Sequence, residues 1–313
     1  MPWTSATIVP VARRADFRRP LPDTLPGLIS GTYEGSHIAQ HTYEALLIVV
    51  PLRRFIVLRG GVPVLTEPGD ICVGGVLELH AASASSSHCH ARVFLVSPDL
   101  LQELARSVGM RDASVLRFGR AALFDRPLAR ALTALGEELD RPVISSDAAE
   151  RCRGLLRQLV QSHADEVAPM PEEDRVARAI GRVQSHLQRH ATECVALDEL
   201  AELACVSKSY LVRTFHRAVG LPPHSYQVQL RIARAARLIA MGASLSRAAL
   251  DAGFADQSHL SRKFKSAYGL TPLGFARGVR SSTIVSAGDR AQREKARAIS
   301  FNSTIHDAAR RFG

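Results

Sequence analysis

The hydrophobic and polar positions of the chain change their period about one third of the way along. Residues from about Leu28 to Val96 carry short β-branched and aliphatic runs, which are EALLIVV, RRFIVLRG and ARVFLVS. Turn sequences interrupt these runs at RGG, EPGD and GG. Short strands separated by turns are typical of a small antiparallel barrel or sandwich. The N-terminal part is therefore predicted to be all-β.

Helical periodicity replaces the strand pattern from Pro98 to Asp165. Apolar residues recur there at spacings of three and four, in SPDLLQELARSVG, DRPLARALTALGEELD and SDAAERCRGLLRQLVQSHADEV. Such spacing predicts amphipathic helices. The third segment places Cys152, Leu155, Leu156 and Leu159 on one face, which could pack on the preceding strands.

One phrase occurs twice in the C-terminal part. LVRTFHRAVGLPP begins at Leu211, and LSRKFKSAYGLTP begins at Leu260, 49 residues later. Each copy has a leucine and a phenylalanine four residues apart, followed by a glycine that is expected to end the helix. A short amphipathic helix precedes each copy, and Ser207 and Asp256 are suited to cap the second helices. The pattern predicts two helix-turn-helix units.

The outward positions of the two second helices form matching stripes. These stripes are Ser209, Val212, Arg213 and His216 in the first copy and Ser258, Ser261, Arg262 and Lys265 in the second. Small polar side chains let a helix enter the major groove of DNA, and arginine can bind guanine edges in a bidentate manner. A solvated helix face would explain one such stripe, but not two on matching scaffolds.

Neighbouring side chains extend the predicted DNA-binding face. Lys208, Arg217, Lys263 and Lys265 are near enough to bind phosphates. The complete set of candidate DNA-binding residues is Lys208, Ser209, Tyr210, Val212, Arg213, His216, Arg217, Gln257, Ser258, His259, Ser261, Arg262, Lys263 and Lys265.

A single helix is predicted between the two units, in PHSYQVQLRIARAARLIAMG. Its apolar side includes Tyr226 and Ile232, its arginines Arg231, Arg234 and Arg237 lie elsewhere, and the following glycine is expected to end it. A continuous helix would fix the distance between the units. Entry into successive major grooves requires about 34 Å between them.

Charge is distributed unevenly along the chain. The net charge is +10, but residues 175–313 carry 22 Lys and Arg against 9 Asp and Glu, a balance of +13 that leaves −3 for residues 1–174. Because neutralisation of phosphates drives binding to nucleic acids, this asymmetry predicts a C-terminal part that binds nucleic acid. An arginine-rich composition without function would not explain the confinement.

The segment from about Glu193 to Arg280 resembles the DNA-binding module of the AraC/XylS family of bacterial transcription regulators. LAELACVS, LVRTF and AALDAGFADQSHLSRKFKSAYGLTPLGF carry this resemblance. It implies two helix-turn-helix units that bind adjacent grooves of double-stranded promoter or operator DNA, with Arg213 and Arg262 where family members contact bases or phosphates. Cys205 departs from the family, whose turn usually has glycine there, and His259 is bulkier than many residues at its position.

GSHIAQHTYEALL followed by PGDICVGGVLELH resembles the cupin-type sensor domain common in this family. Together the resemblances imply an α+β fold, with a cupin-like β-barrel, following helices and a C-terminal all-α double helix-turn-helix domain. Metal-binding cupins use a His-x-His…Glu cluster and a later His. Here the matching residues are His41, Tyr43, Glu44 and His80, so one ligand is replaced by tyrosine. We therefore expect no metal and no cofactor, and predict that these four residues bind a small-molecule effector.

The predicted boundaries divide the chain into five parts. They are an effector-sensing domain with an N-terminal arm at 1–97, a helical dimerisation region at 98–168, a linker and first helix at 169–192, the DNA-binding domain at 193–280 and a flexible basic tail at 281–313. In the family, helices like those at 98–168 form an antiparallel dimer contact, so a homodimer is expected. Packing of the leucines on the barrel alone is the alternative.

Other features exclude several classes of protein. No apolar run approaches the roughly 20 residues that cross a bilayer, and no secretory signal is evident at the N-terminus, so no membrane partner is expected. The five cysteines are scattered and form no Cys-x-x-Cys pair, which fits a reduced, cytoplasmic protein. No catalytic motif is found, so we expect a regulator rather than an enzyme. We further expect this regulator to be an activator. Contact with RNA polymerase is compatible with that role. The alternatives are a cupin-type metal enzyme fused to a DNA-binding module and a ligand-independent dimeric regulator.

Overall fold

A computed structural model describes residues 12–280 apart from residues 22, 36, 60–61, 84–88, 111–112, 114–115, 121 and 167–174. The expected N-terminal arm largely precedes these residues, and the expected linker and basic tail fall outside them. The strands are β1 (Ala12–Arg18), β2 (Leu28–Gly35), β3 (His37–His41), β4 (Leu46–Pro51), β5 (Phe55–Arg59), β6 (Val62–Thr66), β7 (Ile71–Gly74), β8 (His80–Ser83), β9 (Cys89–Val96), β10 (Leu116–Arg117), β11 (Ala122–Leu123) and β12 (Asp165–Glu166).

Helices follow the main strands and make up the C-terminal part. They are α1 (Pro98–Ser107), α2 (Arg126–Leu139), α3 (Ala148–His163), α4 (Arg175–Arg189), α5 (Leu197–Ala204), α6 (Lys208–Val219), α7 (Pro223–Ala240), α8 (Leu245–Asp251), α9 (Gln257–Tyr268) and α10 (Pro272–Arg280). None of the helices in the described ranges is both long and apolar enough to cross a membrane.

The N-terminal strands form two antiparallel sheets. The six-stranded sheet has the order β1-β2-β9-β4-β7-β11, and the four-stranded sheet has the order β3-β8-β5-β6. Strand β9 pairs with β2 and with β4, so it lies at the centre of the larger sheet. The prediction of an antiparallel N-terminal domain in an α+β chain is therefore confirmed.

The prediction that these strands close into a barrel is wrong. Among the described residues no strand of one sheet pairs with a strand of the other, and the sheets meet through apolar side chains such as Leu47 and Val93 on one side and Phe55 on the other. The edge strands β1 and β3 are packed against α10 and α9. A helix that covers a sheet edge blocks the strand pairing that closure would require.

Helices α1, α2 and α3 cover the other side of the six-stranded sheet. The sheet residues Ile48 and Phe94 share a hydrophobic core with Leu132 of α2 and with Cys152 and Leu156 of α3. Strand β9 is therefore buried on nearly all of its length. The leucine face of α3 was predicted either to form a dimer contact or to pack on the chain's own strands. Packing on the chain's own sheet accounts for the buried residues of this face.

The two helix-turn-helix units form as the repeat predicts. Helices α6 and α9 each contain 12 residues and begin and end at positions 49 apart. Ser207 Oγ accepts a hydrogen bond from the backbone N–H of Tyr210 at 3.4 Å, and Asp256 Oδ1 accepts one from that of His259 at 2.7 Å. These contacts satisfy helix N-termini that would otherwise lack partners. The predicted caps and the continuous helix α7 are confirmed.

The units differ in where their cores lie. We call α5 and α6 the first unit, and α8 and α9 the second unit. The first unit packs with α4 through residues such as Val183, Leu211 and Phe215. The second unit, together with α10, shares its core with the inner faces of the two sheets. The N-terminal domain therefore packs more extensively against the second unit than against the first.

Cys205 is one of the few non-glycine residues with a left-handed backbone, with φ at 56°. The equivalent position in the second unit is Gly253, with φ at 84°. Side chains are disfavoured in this region because Cβ approaches the backbone. We expect Cys205→Gly to raise the free energy of unfolding by about 0.5–1 kcal/mol, after allowing for the greater entropy of an unfolded glycine.

Urea denaturation monitored by circular dichroism would measure this gain. Gly253→Ala is the matched opposite change, and it should destabilise the protein because a Cβ there would lie 2.8 Å from the Cα and carbonyl oxygen of Thr192. A Cys205→Gly protein that is less stable than the wild type would contradict the explanation.

Candidate functional site

The two reading faces, by which we mean the outward surfaces of α6 and α9, are open to solvent. Ser209, Arg213 and His216 are exposed on α6, and Ser258, Arg262 and Lys265 are exposed on α9, while Val212 and Ser261 are half-buried. Leu211 and Phe215 of α6 point into the core, as do Leu260 and Phe264 of α9. The helix period separates the two sets, so each scaffold buries its leucine and phenylalanine and presents its arginine.

Several cations on the reading faces have no acidic partner. Within the described part of the chain no carboxylate pairs with Arg213, Arg217, Arg262, Lys263 or Lys265. Unpaired cations on an exposed helix favour an anionic partner, because no internal ion pair has to be broken when that partner binds. This arrangement is suited to the phosphates and base edges of DNA.

Other candidates for DNA contact have local partners. Lys208 forms an ion pair with Asp198 of α5, and Gln257 accepts a hydrogen bond from Ser246 Oγ at 2.9 Å. The ring of His259 packs edge-on against Phe254, with centroids 5.3 Å apart. Tyr210 is 43% exposed beside the first reading face. These residues lie at the start of α6 or α9. The contacts of Lys208 and Gln257 join the start of each helix to the preceding helix of its unit.

Arg231 joins the segment that leads into the first unit to the turn of the second unit, a role that the sequence pattern did not reveal. From α7 its guanidinium donates to the carbonyl oxygens of Ala191 at 2.7 Å, Glu193 at 2.8 Å and Gly253 at 2.9 Å. The first two acceptors precede α5, and the third lies in the turn between α8 and α9. Burial lowers the pKa of Arg231. Its five fixed donors suit several carbonyls at once.

The effector candidates His41, Tyr43 and His80 come together in a cavity of about 70 Å³ between the two sheets, which we call the sheet cavity. His41 Nε2 and His80 Nε2 are 3.0 Å apart, and His80 Nδ1 is 3.2 Å from the carbonyl oxygen of Glu78. Because that carbonyl only accepts, His80 Nδ1 must donate, so in the neutral ring its Nε2 accepts from His41. Most of the remaining wall is apolar, including Val49, Phe55 and Val93.

Glu44, the fourth effector candidate, lies outside the sheet cavity. Its Oε1 atom is 3.2 Å from Arg237 Nη1 of α7. Tyr43 and Glu44 lie in the connection between β3 and β4, where Tyr43 lines the sheet cavity and Glu44 points to α7. Glu44 therefore contacts the DNA-binding domain. No group of three or more His, Cys, Asp or Glu side chains suited to a metal ion occurs among the described residues.

Burial lowers the pKa of His80 from 6.5 to about 4. The neutral ring is then the native form, while the unfolded chain takes up a proton below pH 6.5. The pKa of His80 is lower in the folded state than in the unfolded chain. The free energy of unfolding is therefore constant above the pKa of the unfolded chain, and it declines as the pH falls towards the pKa of the folded state. We expect a loss of about 1–2 kcal/mol in the free energy of unfolding between pH 6.5 and pH 4 from this residue, discounted for its partial exposure.

Urea unfolding at a series of pH values would measure this contribution. His80→Gln should make the acid branch less steep, whereas His224→Gln, which removes an exposed histidine, should leave it unchanged. Identical acid branches for the wild type and His80→Gln would contradict the assignment.

Tyr268 completes the wall of the sheet cavity from the second unit, and the sequence pattern did not single it out. It is 5% exposed, and its Oη donates to the carbonyl oxygen of Thr42 at 2.8 Å. Its ring is stacked on Tyr43, with centroids 4.8 Å apart and planes at 14°. The repeat could have revealed it, because the equivalent position of the first copy, 49 residues earlier, holds Val219 instead of an aromatic residue.

Two matching helix-turn-helix units with exposed, cationic reading faces define a DNA-binding protein of the helix-turn-helix class. A family model described as a helix-turn-helix domain matches residues 200–278. The uncharacterized HTH-type transcriptional regulator YbfI of Bacillus subtilis is 26% identical over 225 residues, which cover 70% of this chain and 79% of that protein. A putative AraC-like transcription regulator of Streptomyces lividans is 32% identical over 148 residues, which cover 45% of this chain and 49% of that protein. The chain is a transcription regulator with an AraC-type DNA-binding domain.

A crystal structure of ToxT from Vibrio cholerae also resembles this chain. The superposition covers 82% of this chain and 99% of that one, with a TM-score of 0.48 and 12% sequence identity.

Proposed function

We propose that this protein is a transcription activator whose two helix-turn-helix units bind adjacent major grooves and whose sheet cavity binds a small organic effector. The observation that supports DNA reading most directly is the pair of matching reading faces, each with an exposed arginine at the same position, Arg213 and Arg262. Helix α7 and the Arg231 hydrogen bonds give the pair a fixed relative position. Two readers in a fixed relation can bind two half-sites at once.

The residues of each reading face divide into two roles under this proposal. Arg213 and Arg262 bind base edges, since they lie in the middle of each exposed stripe. Arg217, Lys263 and Lys265 bind phosphates and contribute affinity without sequence preference. Lys208 must first leave Asp198 to do the same.

The lining of the sheet cavity favours an uncharged effector over an anionic one. No lysine or arginine lines it among the described residues. Arg53 and Arg54 are exposed, and Arg54 forms an ion pair with Glu67. An anionic effector would therefore lose its hydration without gaining a cationic partner, which is unfavourable.

A homodimer and a contact with RNA polymerase stay predictions. The leucines of α2 and α3 that suggested a dimer contact are buried against the chain's own sheet. A dimer would therefore have to use other surfaces of these helices.

Selection of binding sites from a random DNA pool by the full chain would test the proposed function. We expect two short sequence blocks whose centres lie about one helical turn apart, roughly 10 base pairs. Enrichment of a single block, or of none, would contradict paired reading. A parallel thermal-shift screen with uncharged and anionic metabolites tests the effector, because a ligand that binds only the folded protein raises its melting temperature.

A further inference from the structure

The second unit is joined to the N-terminal domain along two sheet edges. Helix α9 packs on β3, and α10 packs on β1. The rings of Phe275 and Phe17 lie 6.2 Å apart, and a Cβ on Gly278 would lie only 2.1 Å from the carbonyl oxygen of Phe17. Such an approach between two backbones requires glycine at this position. The contact between the domains is therefore close rather than incidental.

Tyr268, at the end of α9, contacts two of the effector candidates, Tyr43 and His41. Besides stacking on Tyr43, its ring meets His41 edge-on, with centroids 5.3 Å apart and planes at 79°. The same ring packs edge-on against Phe264, which anchors α9. A displacement of Tyr268 is therefore transmitted to the helix that carries the second reading face.

The size of the sheet cavity decides how a ligand can bind there. At about 70 Å³ it is smaller than the roughly 300–1,000 Å³ typical of small-molecule sites. A ligand of more than a few heavy atoms fits only if part of the wall moves. Most of the wall consists of strands held by ladders of backbone hydrogen bonds. Tyr268, in contrast, is held by a single side-chain hydrogen bond and by ring packing.

The groups around Tyr268 define the chemistry of what can replace it. Tyr43 and His41 offer faces for an aromatic ring, and the carbonyl oxygen of Thr42 accepts one hydrogen bond. A buried carbonyl left without a donor costs about 1–3 kcal/mol. A replacement should therefore be a flat, uncharged ring that carries one donor.

We propose that an uncharged aromatic ligand with one hydrogen-bond donor, such as a simple phenol, takes the place of the Tyr268 side chain and thereby releases the second unit from the sheet edges. This proposal rests on the proposed function, because it deepens the account of the effector site. Arg262 and Lys265 are exposed while Tyr268 is docked. What the ligand changes is the attachment of the second reading face to the N-terminal domain, not the access of that face to solvent.

The first experiment measures whether Tyr268 occupies ligand space. p-Cresol, which has the ring and hydroxyl of a tyrosine side chain, is titrated into the full-length wild type, Tyr268→Ala, Tyr268→Phe and Val219→Ala. We expect calorimetry to show binding to Tyr268→Ala at least tenfold tighter than to the wild type. Val219→Ala should behave like the wild type. Tyr268→Phe should show intermediate affinity, because its ring still fills the space but leaves the carbonyl oxygen of Thr42 without a donor. Equal affinities for the wild type and Tyr268→Ala would overturn the proposal.

The second experiment uses the wild type alone, so it does not depend on the folding of a variant. Amide hydrogen exchange is followed in residues 257–280 and 208–219, without p-cresol and with p-cresol above its measured Kd. Release of the second unit predicts at least threefold faster exchange in 257–280 and no change in 208–219. Unchanged or slower exchange in 257–280 would overturn the proposal. Both experiments omit DNA, so their failure is distinguishable from a failure of the selection experiment, which tests the proposed function.

Discussion

Replacing either Arg213 or Arg262 with alanine is expected to weaken binding to the selected DNA site by about 1–3 kcal/mol, roughly 5- to 150-fold in Kd. Each arginine lies on the exposed stripe of its own unit. Loss of a bidentate contact to a base removes both affinity and the preference for that base. The two variants should therefore relax the sequence preference in different half-sites. Fluorescence anisotropy with single-base variants of the site would measure both effects.

Two control variants separate base reading from charge. Lys263→Gln should weaken binding about equally for all sequences, because a phosphate contact carries no sequence information. Arg130→Ala removes an exposed arginine of α2, outside the DNA-binding domain, and should leave affinity unchanged. If Arg213→Ala and Arg262→Ala both keep the affinity and preference of the wild type, the reading faces are assigned to the wrong residues.

Replacing Arg231 with alanine is expected to lower the free energy of unfolding by about 2–4 kcal/mol. Three hydrogen bonds from one charged group are lost, and the carbonyl oxygens of Ala191, Glu193 and Gly253 lose a donor. Because these carbonyls lie in the segment that leads into the first unit and in the turn of the second unit, the fixed spacing of the reading faces should loosen as well. We expect Arg231→Ala to accept half-sites whose spacing differs by one or two base pairs from the preferred one. Urea denaturation and binding to spacing variants would measure the two effects.

Arg234 provides the matched control on the same helix. It is exposed and makes one hydrogen bond, to the carbonyl oxygen of Asp251 at 3.0 Å. Arg234→Ala should cost no more than about 1 kcal/mol and should keep the spacing preference. Equal effects of the two substitutions would mean that Arg231 does not link the units.

The DNA-binding domain was largely predictable because its signals are local. Caps such as Ser207 and Asp256, apolar residues four positions apart and terminal glycines act within one or two helical turns. Because the sequence repeats, each of these features occurs at matching positions in two copies. The comparison of the copies identified the buried leucine and phenylalanine of each helix and its exposed arginine. Periodicity was misleading for Arg231, since it placed this residue outside the apolar side of α7 but could not indicate that a long side chain bends back to backbone carbonyls.

The N-terminal domain was less predictable because its decisive contacts join distant segments. Strand patterns indicated antiparallel sheets correctly, but whether sheets close depends on what occupies their edges. Those occupants, α9 and α10, lie more than 200 residues further along the chain. The cavity wall has the same origin, because Tyr268 meets Thr42 across 226 positions. No spacing rule connects such residues, and only the contrast with Val219 in the first copy marked Tyr268 as unusual.

The docking of α10 against β1 has a consequence for protein engineering. Modular exchange of DNA-binding domains between regulators is planned at the covalent linker, which the sequence predicts to begin at residue 169. In this protein, a graft joined there would place a foreign helix against Phe17, where a side chain larger than that of Gly278 cannot fit. A working hybrid should therefore also carry over α10 and the end of α9 from the parent that supplies the sheets.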